Sequence, residues 1–284
     1  MATTEPKPDI GQRRLRKEDP ELITGQGRFV DNISVPGMLW VHVVRSPFAH
    51  ATIKGIDTSK AAQAEGVVAV YTGETLEFAG PLVMAWPIND QVKNPAHHPL
   101  CKDKARYVGD PVAVVVADSR AGAKDAAELV EVDWDPHPAV TNIKAALADG
   151  APIIHEEFGT NNAGDWVFER DSPAPRRGPS GPFFEDPALV TIKEDYYLAR
   201  LIPNAMEPRG VVVDLTASMG EYTVYSSTQI PHILRTTLTI TCGIPEAKLR
   251  VVAPDVGGGF GSKLEAYPED AICLAVAKTL GRPV

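Results

Sequence analysis

The sequence predicts a mixed α/β fold (α+β) in two parts, and patterns in both parts support this prediction. In the first part, residues 111–117 form an apolar run with β-branched side chains, which is typical of a buried strand. Ser119 then precedes an alanine-rich stretch to about residue 129, which predicts a helix with Ser119 as its N-cap. Residues 130–134 return to a strand pattern, so a strand–helix–strand unit is expected.

Other elements of the first part are shorter. The strand candidates are residues 38–45, 51–56 and 67–72, and residues 142–148 are a short helix candidate. Residues 76–104 are rich in proline, asparagine and histidine, which predicts a long loop.

The second part repeats the mixture of strands and helices. Its strand candidates are residues 188–198, 210–215, 222–226 and 249–253. Pro231 suits the first turn of a helix that Gly243 and Pro245 end. Pro268–Leu280 is the last predicted helix, and its apolar centre requires burial on most sides. We expect that this helix lacks part of its cover and makes the isolated chain oligomerise or aggregate.

A proline-rich segment separates the two parts. Residues 170–187 carry five prolines, a density that excludes regular helix and central strand, so we interpret them as an exposed insert. The predicted organisation is a polar N-terminal arm over residues 1–18, a first domain over residues 19–142 and a second over residues 143–284. The arm holds a basic cluster at residues 13–17 with no apolar stretch after it, which favours a solvated arm over an export signal.

Composition excludes several classes of function. The chain has 28 basic and 37 acidic residues and a net charge of −9, which argues against a nucleic-acid partner. No apolar run approaches the roughly 20 residues of a transmembrane helix. Three cysteines lie far apart without C-x-x-C spacing, which indicates a reducing cytoplasm and offers no self-contained metal or iron–sulfur site.

The most informative motif is the glycine loop Gly257-Gly258-Gly259-Phe260-Gly261-Ser262-Lys263. Successive glycines let a backbone approach a bulky group closely, and the exposed N–H groups of such a turn can bind an anion or a metal-oxo group. The spacing fits neither the G-x-G-x-x-G dinucleotide motif nor a Walker A loop. A plain glycine connector remains possible on spacing alone, although a phenylalanine inside it is unusual.

With its surroundings, the loop resembles the molybdopterin-binding large subunits of the xanthine dehydrogenase and aldehyde oxidase family, and aerobic carbon monoxide dehydrogenase large-chain-like members most of all. The matching segments are residues 22–31, 45–51, 107–113, 206–210, 227–232 and 252–263. They fall in family order, and six ordered segments are far more specific than any one of them. The resemblance implies an a/b hammerhead domain over residues 19–142, followed by the first part of a molybdenum cofactor-binding domain.

The resemblance also implies roles for individual residues. Gln229 matches a glutamine whose side-chain amide approaches the oxygen ligand of molybdenum, and Gly259, Phe260 and Gly261 match the loop that packs against the cofactor. Gly257 and Gly258 would give that loop its close approach. Two alternatives stay open: Gln229 could only cap the helix at Pro231, and Phe260 could be ordinary core. No metal ligand is assigned to this chain.

The implied reaction is oxidation of carbon monoxide, an aldehyde or an N-heterocycle, with water as the oxygen source. The implied cofactor is molybdenum-molybdopterin, in a cytosine dinucleotide form in bacterial members, with copper only in those that oxidise carbon monoxide. FAD and 2Fe–2S clusters would lie on a medium and a small partner subunit. Leu264 stands where xanthine-oxidising members often carry glutamate, which weakens a purine substrate.

The resemblance places the general-base glutamate and most pterin-binding segments in sequence beyond this chain. We therefore assign no catalytic residue and expect the chain to be inactive alone, as a fragment or as half of a split subunit completed by a separate chain. The alternative is a non-catalytic scaffold or interaction module that retains the fold.

Overall fold

The computed structural model describes residues 11, 13–83, 92–164, 190, 192–216 and 218–284. The strands are β1 (Trp40–Arg45), β2 (Ala51–Asp57), β3 (Val67–Thr72), β4 (Lys104–Ala105), β5 (Pro111–Ala117), β6 (Glu131–Pro136), β7 (Val211–Thr216), β8 (Glu221–Ser226) and β9 (Leu249–Val252). The helices are α1 (Asp19–Ile23), α2 (Ser59–Ala62), α3 (Arg120–Ala127), α4 (Ile143–Ala146), α5 (Pro231–Cys242) and α6 (Pro268–Leu280). Short 3₁₀ turns cover Val30–Asn32, Glu156–Phe158 and Glu246–Lys248. The mixed α/β prediction is confirmed.

Two antiparallel sheets form the first part of the chain, in the orders β1-β5-β3 and β4-β2-β6. Every residue of β5 is buried, as its apolar run predicts, because it is the central strand and α3 packs beside it. The Ser119 hydroxyl accepts a hydrogen bond from the Gly122 N–H and so caps α3. The strand–helix–strand elements are therefore present, but β5 and β6 lie in different sheets.

The second part contains a sheet in the order β7-β8-β9. Strands β7 and β8 are antiparallel, whereas β8 and β9 are parallel. A parallel pair needs a crossover connection, and α5 provides it. Pro231 is the first residue of α5, and Gly243 ends the helix in the left-handed conformation (φ 64°), as the sequence predicts.

Helix α6 is buried in the main hydrophobic core. Residues 271–277 are each at most 7% exposed, and α6 packs against β7 and α5. The expectation that this helix lacks its cover is wrong, since the chain supplies the cover itself. Leu274 and Ile272 are fully inaccessible to solvent, and they share the core with Leu39 and Val114 of the first part.

Backbone and side-chain contacts also join the two parts. The Leu39 N–H donates to the Pro283 carbonyl at 2.8 Å, and the Ala79 N–H donates to the Thr241 carbonyl at 2.8 Å. Arg45 forms an ion pair with Glu269 at the start of α6. The first and last segments of the chain therefore fold as one body around a shared core.

One predicted strand is not found. The residues of the 188–198 candidate that the structure describes, 190 and 192–198, have no regular secondary structure. Their large side chains are exposed, including Tyr197 at 90% and Leu198 at 92%. The proline-rich insert at residues 170–187 lies outside the described residues, as do residues 1–10 and 12 of the N-terminal arm. None of the helices in the described part of the chain combines the length and apolar character of a membrane span.

Candidate cofactor-binding site

Sheet topology explains why Gln229 and the glycine loop meet. Because β8 and β9 are parallel, the segments that follow them leave the sheet at the same edge. Gln229 lies three residues after β8, and the loop of residues 257–263 follows β9. Ligands of open sheets are commonly bound beyond the carboxyl ends of parallel strands, and these two segments lie at such a position.

The loop fixes the orientation of the Gln229 side chain. Its Oε1 accepts hydrogen bonds from the backbone N–H groups of Gly261 at 3.2 Å and Lys263 at 3.3 Å. The Gln229 N–H donates in turn to the Lys263 carbonyl at 2.9 Å. An amide presents an acceptor on one side and two donors on the other, and only the acceptor suits two N–H partners. The NH₂ group therefore faces away from the loop.

Gly259 is required by this contact. A Cβ atom at this position would lie 2.3 Å from the Gln229 Oε1, well inside van der Waals distance. The structure does not support the alternative in which Gln229 caps α5, because the N-terminus of that helix has no side-chain cap. Instead, the Thr228 hydroxyl accepts from the N–H of Ile230 at 3.1 Å.

Several backbone donors at the tip of the loop are left without a partner in the described part of the chain. Gly258, Phe260 and Gly261 have φ values of 98°, 53° and 91°, and Phe260 is the one non-glycine residue of the described chain with a positive φ. Within that part of the chain, the N–H groups of Gly258, Gly259 and Phe260 have no hydrogen-bond partner. Successive free N–H groups in such a turn bind anionic or oxo groups. Together with the outward Gln229 NH₂, these donors fit a cofactor with oxygen or phosphate ligands.

Phe260 is not a core residue. Its side chain is 75% exposed, so the alternative of an ordinary core phenylalanine is excluded. Its ring lies against Gly258, where a Cβ atom would come within 3.0 Å of the ring edge. The ring is therefore exposed at the surface of the loop and packs against Gly258.

Behind the loop lies a partly buried ion pair that sequence reasoning missed. The Lys263 Nζ is 2.9 Å from the Glu207 Oε2, and the two side chains are 1% and 13% exposed. The same oxygen accepts from the Ser227 hydroxyl at 2.6 Å and from the Gly257 N–H at 2.7 Å. The signal for this pair was the lysine at the end of the glycine loop, but one sequence does not reveal its partner 56 residues away.

Hydrogen bonds keep the Glu207 carboxylate charged. Burial by itself raises the pKa of Glu207, but hydrogen bonds from Ser227, Gly257 and Lys263, and the charge of Lys263, outweigh burial and hold the pKa below its usual value. The carboxylate therefore stays ionised at neutral pH and keeps its attraction for the lysine.

A cavity of about 420 Å³ lies beside this ion pair. Its lining includes Arg45, Arg209, Glu207 and Lys263. The Arg209 guanidinium stacks over the Tyr267 ring at 3.7 Å, which fixes one wall by a cation–π contact.

A buried carboxylate, Asp270, lies at the start of α6. Asp270 accepts hydrogen bonds from the Ser226 hydroxyl at 2.8 Å and from the Tyr267 N–H at 3.2 Å. Burial raises the pKa of Asp270 to about 6, which makes it sensitive to mildly acidic pH.

Cysteines and histidines do not form a metal centre in the described residues. The three cysteines are free and buried, and burial raises the pKa of each thiol, to about 12 at Cys242. No group of three or more histidine, cysteine or acidic side chains there could hold a metal ion. The glycine loop with Gln229 is therefore the strongest candidate for ligand binding in this part of the protein.

Comparison with known proteins identifies both halves of the chain. Residues 24–138 match the family described as aldehyde oxidase and xanthine dehydrogenase, a/b hammerhead domain. Residues 154–284 match the molybdopterin cofactor-binding domain family. The loop and Gln229 both lie inside the second match.

Similar proteins carry the same two regions within longer chains. The carbon monoxide dehydrogenase large chain of Hydrogenophaga pseudoflava is 35% identical, over 96% of this chain and 34% of that protein. The nicotine 6-hydroxylase large subunit of Paenarthrobacter nicotinovorans is 34% identical, over 97% of this chain and 33% of that protein. Quinoline 2-oxidoreductase from Pseudomonas putida 86 superposes with a TM-score of 0.85 and 36% identity, over 98% of this chain and 34% of that chain.

The chain thus spans about a third of the length of the relatives that it matches. These relatives are large subunits of molybdenum hydroxylases, which confirms the resemblance drawn from the sequence motifs. With a hammerhead domain followed by a molybdopterin cofactor-binding domain, the chain belongs to the xanthine dehydrogenase and aldehyde oxidase family of molybdenum-dependent oxidoreductases.

Proposed function

We propose that this chain forms one wall of the molybdenum cofactor site in the large subunit of a molybdenum hydroxylase. The reaction would be oxidation of carbon monoxide, an aldehyde or an N-heterocycle, with water as the oxygen source. The observation that carries the proposal is a set of donors without partners among the described residues: the Gln229 NH₂ and the N–H groups of Gly258, Gly259 and Phe260. The loop lies within the region that matches the molybdopterin-binding family.

The chain's own residues would bind and orient the cofactor. The Gln229 NH₂ is a neutral donor suited to an oxygen ligand of the metal, and it is held in one orientation by its Oε1 contacts. The loop N–H groups would donate to the cofactor at the same face, while the exposed Phe260 ring would help to line the substrate side. When bound, the molybdenum centre would supply the two-electron oxidation of the substrate. Gly257 and Gly261 belong to the same proposed binding loop.

Partners and further cofactors follow from the same proposal. The molybdopterin would be in the cytosine dinucleotide form. FAD and 2Fe–2S clusters would lie on a medium and a small subunit, and copper would be present only if carbon monoxide is the substrate. The assembly would reside in the cytoplasm. We also propose a domain division at residues 142 and 143, after a polar arm over residues 1–18.

The chain alone would be inactive. We assign no general base to this chain, and the relatives are about three times as long. Activity would therefore require polypeptide that corresponds to the remaining two thirds of those relatives, as a continuation or as a separate chain. The exposed side chains of residues 192–202 favour such a contact over a free surface.

Co-purification from the native source tests the proposal. The chain would be isolated through an affinity tag, its companions identified by mass spectrometry, and molybdenum measured by elemental analysis. We expect stoichiometric molybdenum in the assembly, none on the lone chain, and dye reduction with carbon monoxide, an aldehyde or quinoline. An assembly that contains the companion polypeptide but no molybdenum would refute the proposal and favour the non-catalytic scaffold.

A further inference from the structure

The ion pair behind the glycine loop joins a fully buried lysine to a partly buried glutamate. Lysine is almost never fully buried unless it is paired, and the Lys263 side chain is 1% exposed. Its partner, Glu207, lies on a segment without helix or strand before β7. A buried ion pair is weak evidence for stability, because desolvation offsets much of the attraction.

Glu207 contacts the glycine loop at both of its ends. At the start of the loop, its Oε2 accepts from the Gly257 N–H at 2.7 Å and its own N–H donates to the Gly257 carbonyl at 3.2 Å. At the end of the loop, the same Oε2 binds the Lys263 Nζ at 2.9 Å. A single carboxylate oxygen thereby joins two loop residues that are six positions apart. A Cβ atom at Gly257 would lie 2.5 Å from the Glu207 Cβ, so this glycine is required by the contact.

Lys263 in turn contacts Gln229. The Lys263 backbone N–H donates to the Gln229 Oε1, and the Lys263 carbonyl accepts from the Gln229 backbone N–H. The position of residue 263 therefore sets the position of the Gln229 amide. The Glu207 Oε1 is buried and has no hydrogen-bond partner among the described residues. Among the described residues, the hydrogen bonds of the carboxylate are thus all made by Oε2, the oxygen that joins the loop ends.

We propose that Glu207 and Lys263 are positioning residues that close the ends of the glycine loop and thereby aim the Gln229 NH₂ at the cofactor side. The identity of the ligand rests on the proposed function, whereas the geometry rests on this chain alone. If the pair loosens, the Gly261 and Lys263 N–H groups move away from the Gln229 Oε1. The amide is then free to rotate, and its donor no longer has a fixed direction.

The test uses the full chain labelled with ¹⁵N at glycine, lysine and glutamine, without any cofactor. Amide hydrogen exchange reports the Gly261 and Lys263 N–H groups, and the side-chain signals of Gln229 report its NH₂. The variants are Glu207→Gln, Lys263→Met and the double variant. The control is Glu221→Gln, because Glu221 forms a half-exposed ion pair with Lys248 away from the loop.

Each single variant should accelerate exchange at Gly261 by about tenfold or more, because loop closure is lost locally. The Gln229 NH₂ signals should shift, and exchange in β7 should stay as in the wild type. Glu221→Gln should change neither the loop nor Gln229. Unchanged loop exchange in the single variants, or equal acceleration throughout the chain, would overturn the proposal.

The double variant separates positioning from stability. It leaves no unpaired buried charge, so its unfolding midpoint should return towards that of the wild type. The loop should nevertheless stay open, with fast exchange at Gly261 and shifted Gln229 signals. Recovery of the loop together with stability would mean that the pair is only structural and would refute the inference. This variant also carries the test if a single variant fails to fold.

This outcome is independent of the proposed function, because no molybdenum is present in the measurement. A chain that never binds molybdenum would refute the function and leave the loop result standing. A molybdenum-loaded assembly with an unperturbed loop in Glu207→Gln would refute only the positioning role.

Discussion

The substitution Gly257→Ala tests the packing behind the loop most sharply. The added Cβ atom would lie 2.5 Å from the Glu207 Cβ and 3.4 Å from the Glu207 N. Carbon atoms pack best at about 3.5 to 4.0 Å, so the overlap is roughly 1 Å or more. The nearest atoms belong to the backbone end of Glu207, not to a flexible tip, so the backbone itself must move.

The expected cost combines three contributions. Overpacking of this kind costs about 1 to 3 kcal/mol. The shift also strains the hydrogen bond from the Gly257 N–H to the Glu207 carboxylate, and such bonds to charged groups contribute about 1.5 to 3 kcal/mol. Alanine also lowers the conformational entropy of the unfolded chain, and this offsets about 0.4 to 1 kcal/mol of the loss in stability. We expect a net loss of about 2 to 4 kcal/mol in the free energy of unfolding.

Urea denaturation of the purified chain measures this loss, read from the midpoint at an unchanged slope. The matched control is Gly55→Ala in β2, where a Cβ atom meets nothing within 4 Å. That control should stay within about 0.5 kcal/mol of the wild type. Equal stability of the two variants would show that Glu207 does not approach Gly257 as described.

Three further predictions concern the site, the core and pH. Gly259→Ala places a Cβ atom 2.3 Å from the Gln229 Oε1. Because the Gln229 side chain can rotate away, the free energy of unfolding should fall by only about 1 kcal/mol. The molybdenum content of the assembly, measured by elemental analysis, should nevertheless drop. Leu274→Ala removes a side chain with no solvent exposure and should cost about 2 to 5 kcal/mol in urea denaturation, whereas exposed Val108→Ala should be neutral. Burial raises the pKa of Asp270 from 3.8 to about 6, so the stabilising contribution of the protonated side chain is present at low pH and is lost as pH rises through about 6. Asp270→Asn should therefore abolish the decrease in thermal stability that Asp270 causes between pH 4 and 6. An unchanged slope of thermal stability against pH would contradict the assignment.

Local patterns predicted most of the elements in this protein. The strand Pro111–Ala117 and the helix that starts at Pro231 and ends before Gly243 have the predicted bounds, because proline, glycine and an unbroken apolar run act within a few residues. Ser119 caps its helix as predicted, for the same reason.

Pairing between distant segments was not predictable from local patterns. Strands β5 and β6 lie in different sheets because they pair with strands far away in the sequence. The strand–helix–strand pattern alone does not reveal those pairs. The 188–198 candidate alternates like a strand, yet its described residues have no neighbouring strand to pair with. Strand-like alternation indicates a surface that fits a sheet, and it does not provide the partner.

In the candidate site, too, local motifs were predictable and contacts between distant residues were not. The glycine loop and Gln229 were recognised from their motifs, whereas Glu207 was used only as part of a matching segment. Its role depends on contacts with Gly257 and Lys263, 50 and 56 residues away. The burial of α6 was expected from its apolar centre, but its cover was wrongly expected to be missing: β7, α5 and core residues of the first part such as Leu39 supply it.

The most direct test of the central claim is anomalous diffraction at the molybdenum edge from crystals of the assembly that contains this chain. We expect an anomalous peak at the face of the loop, beside the Gln229 NH₂ and the Phe260 N–H. The Gln229 Oε1 should still accept from Gly261 and Lys263. A molybdenum peak elsewhere in the assembly, with the Gln229 NH₂ bonded only to protein or solvent, would show that this loop does not bind the cofactor.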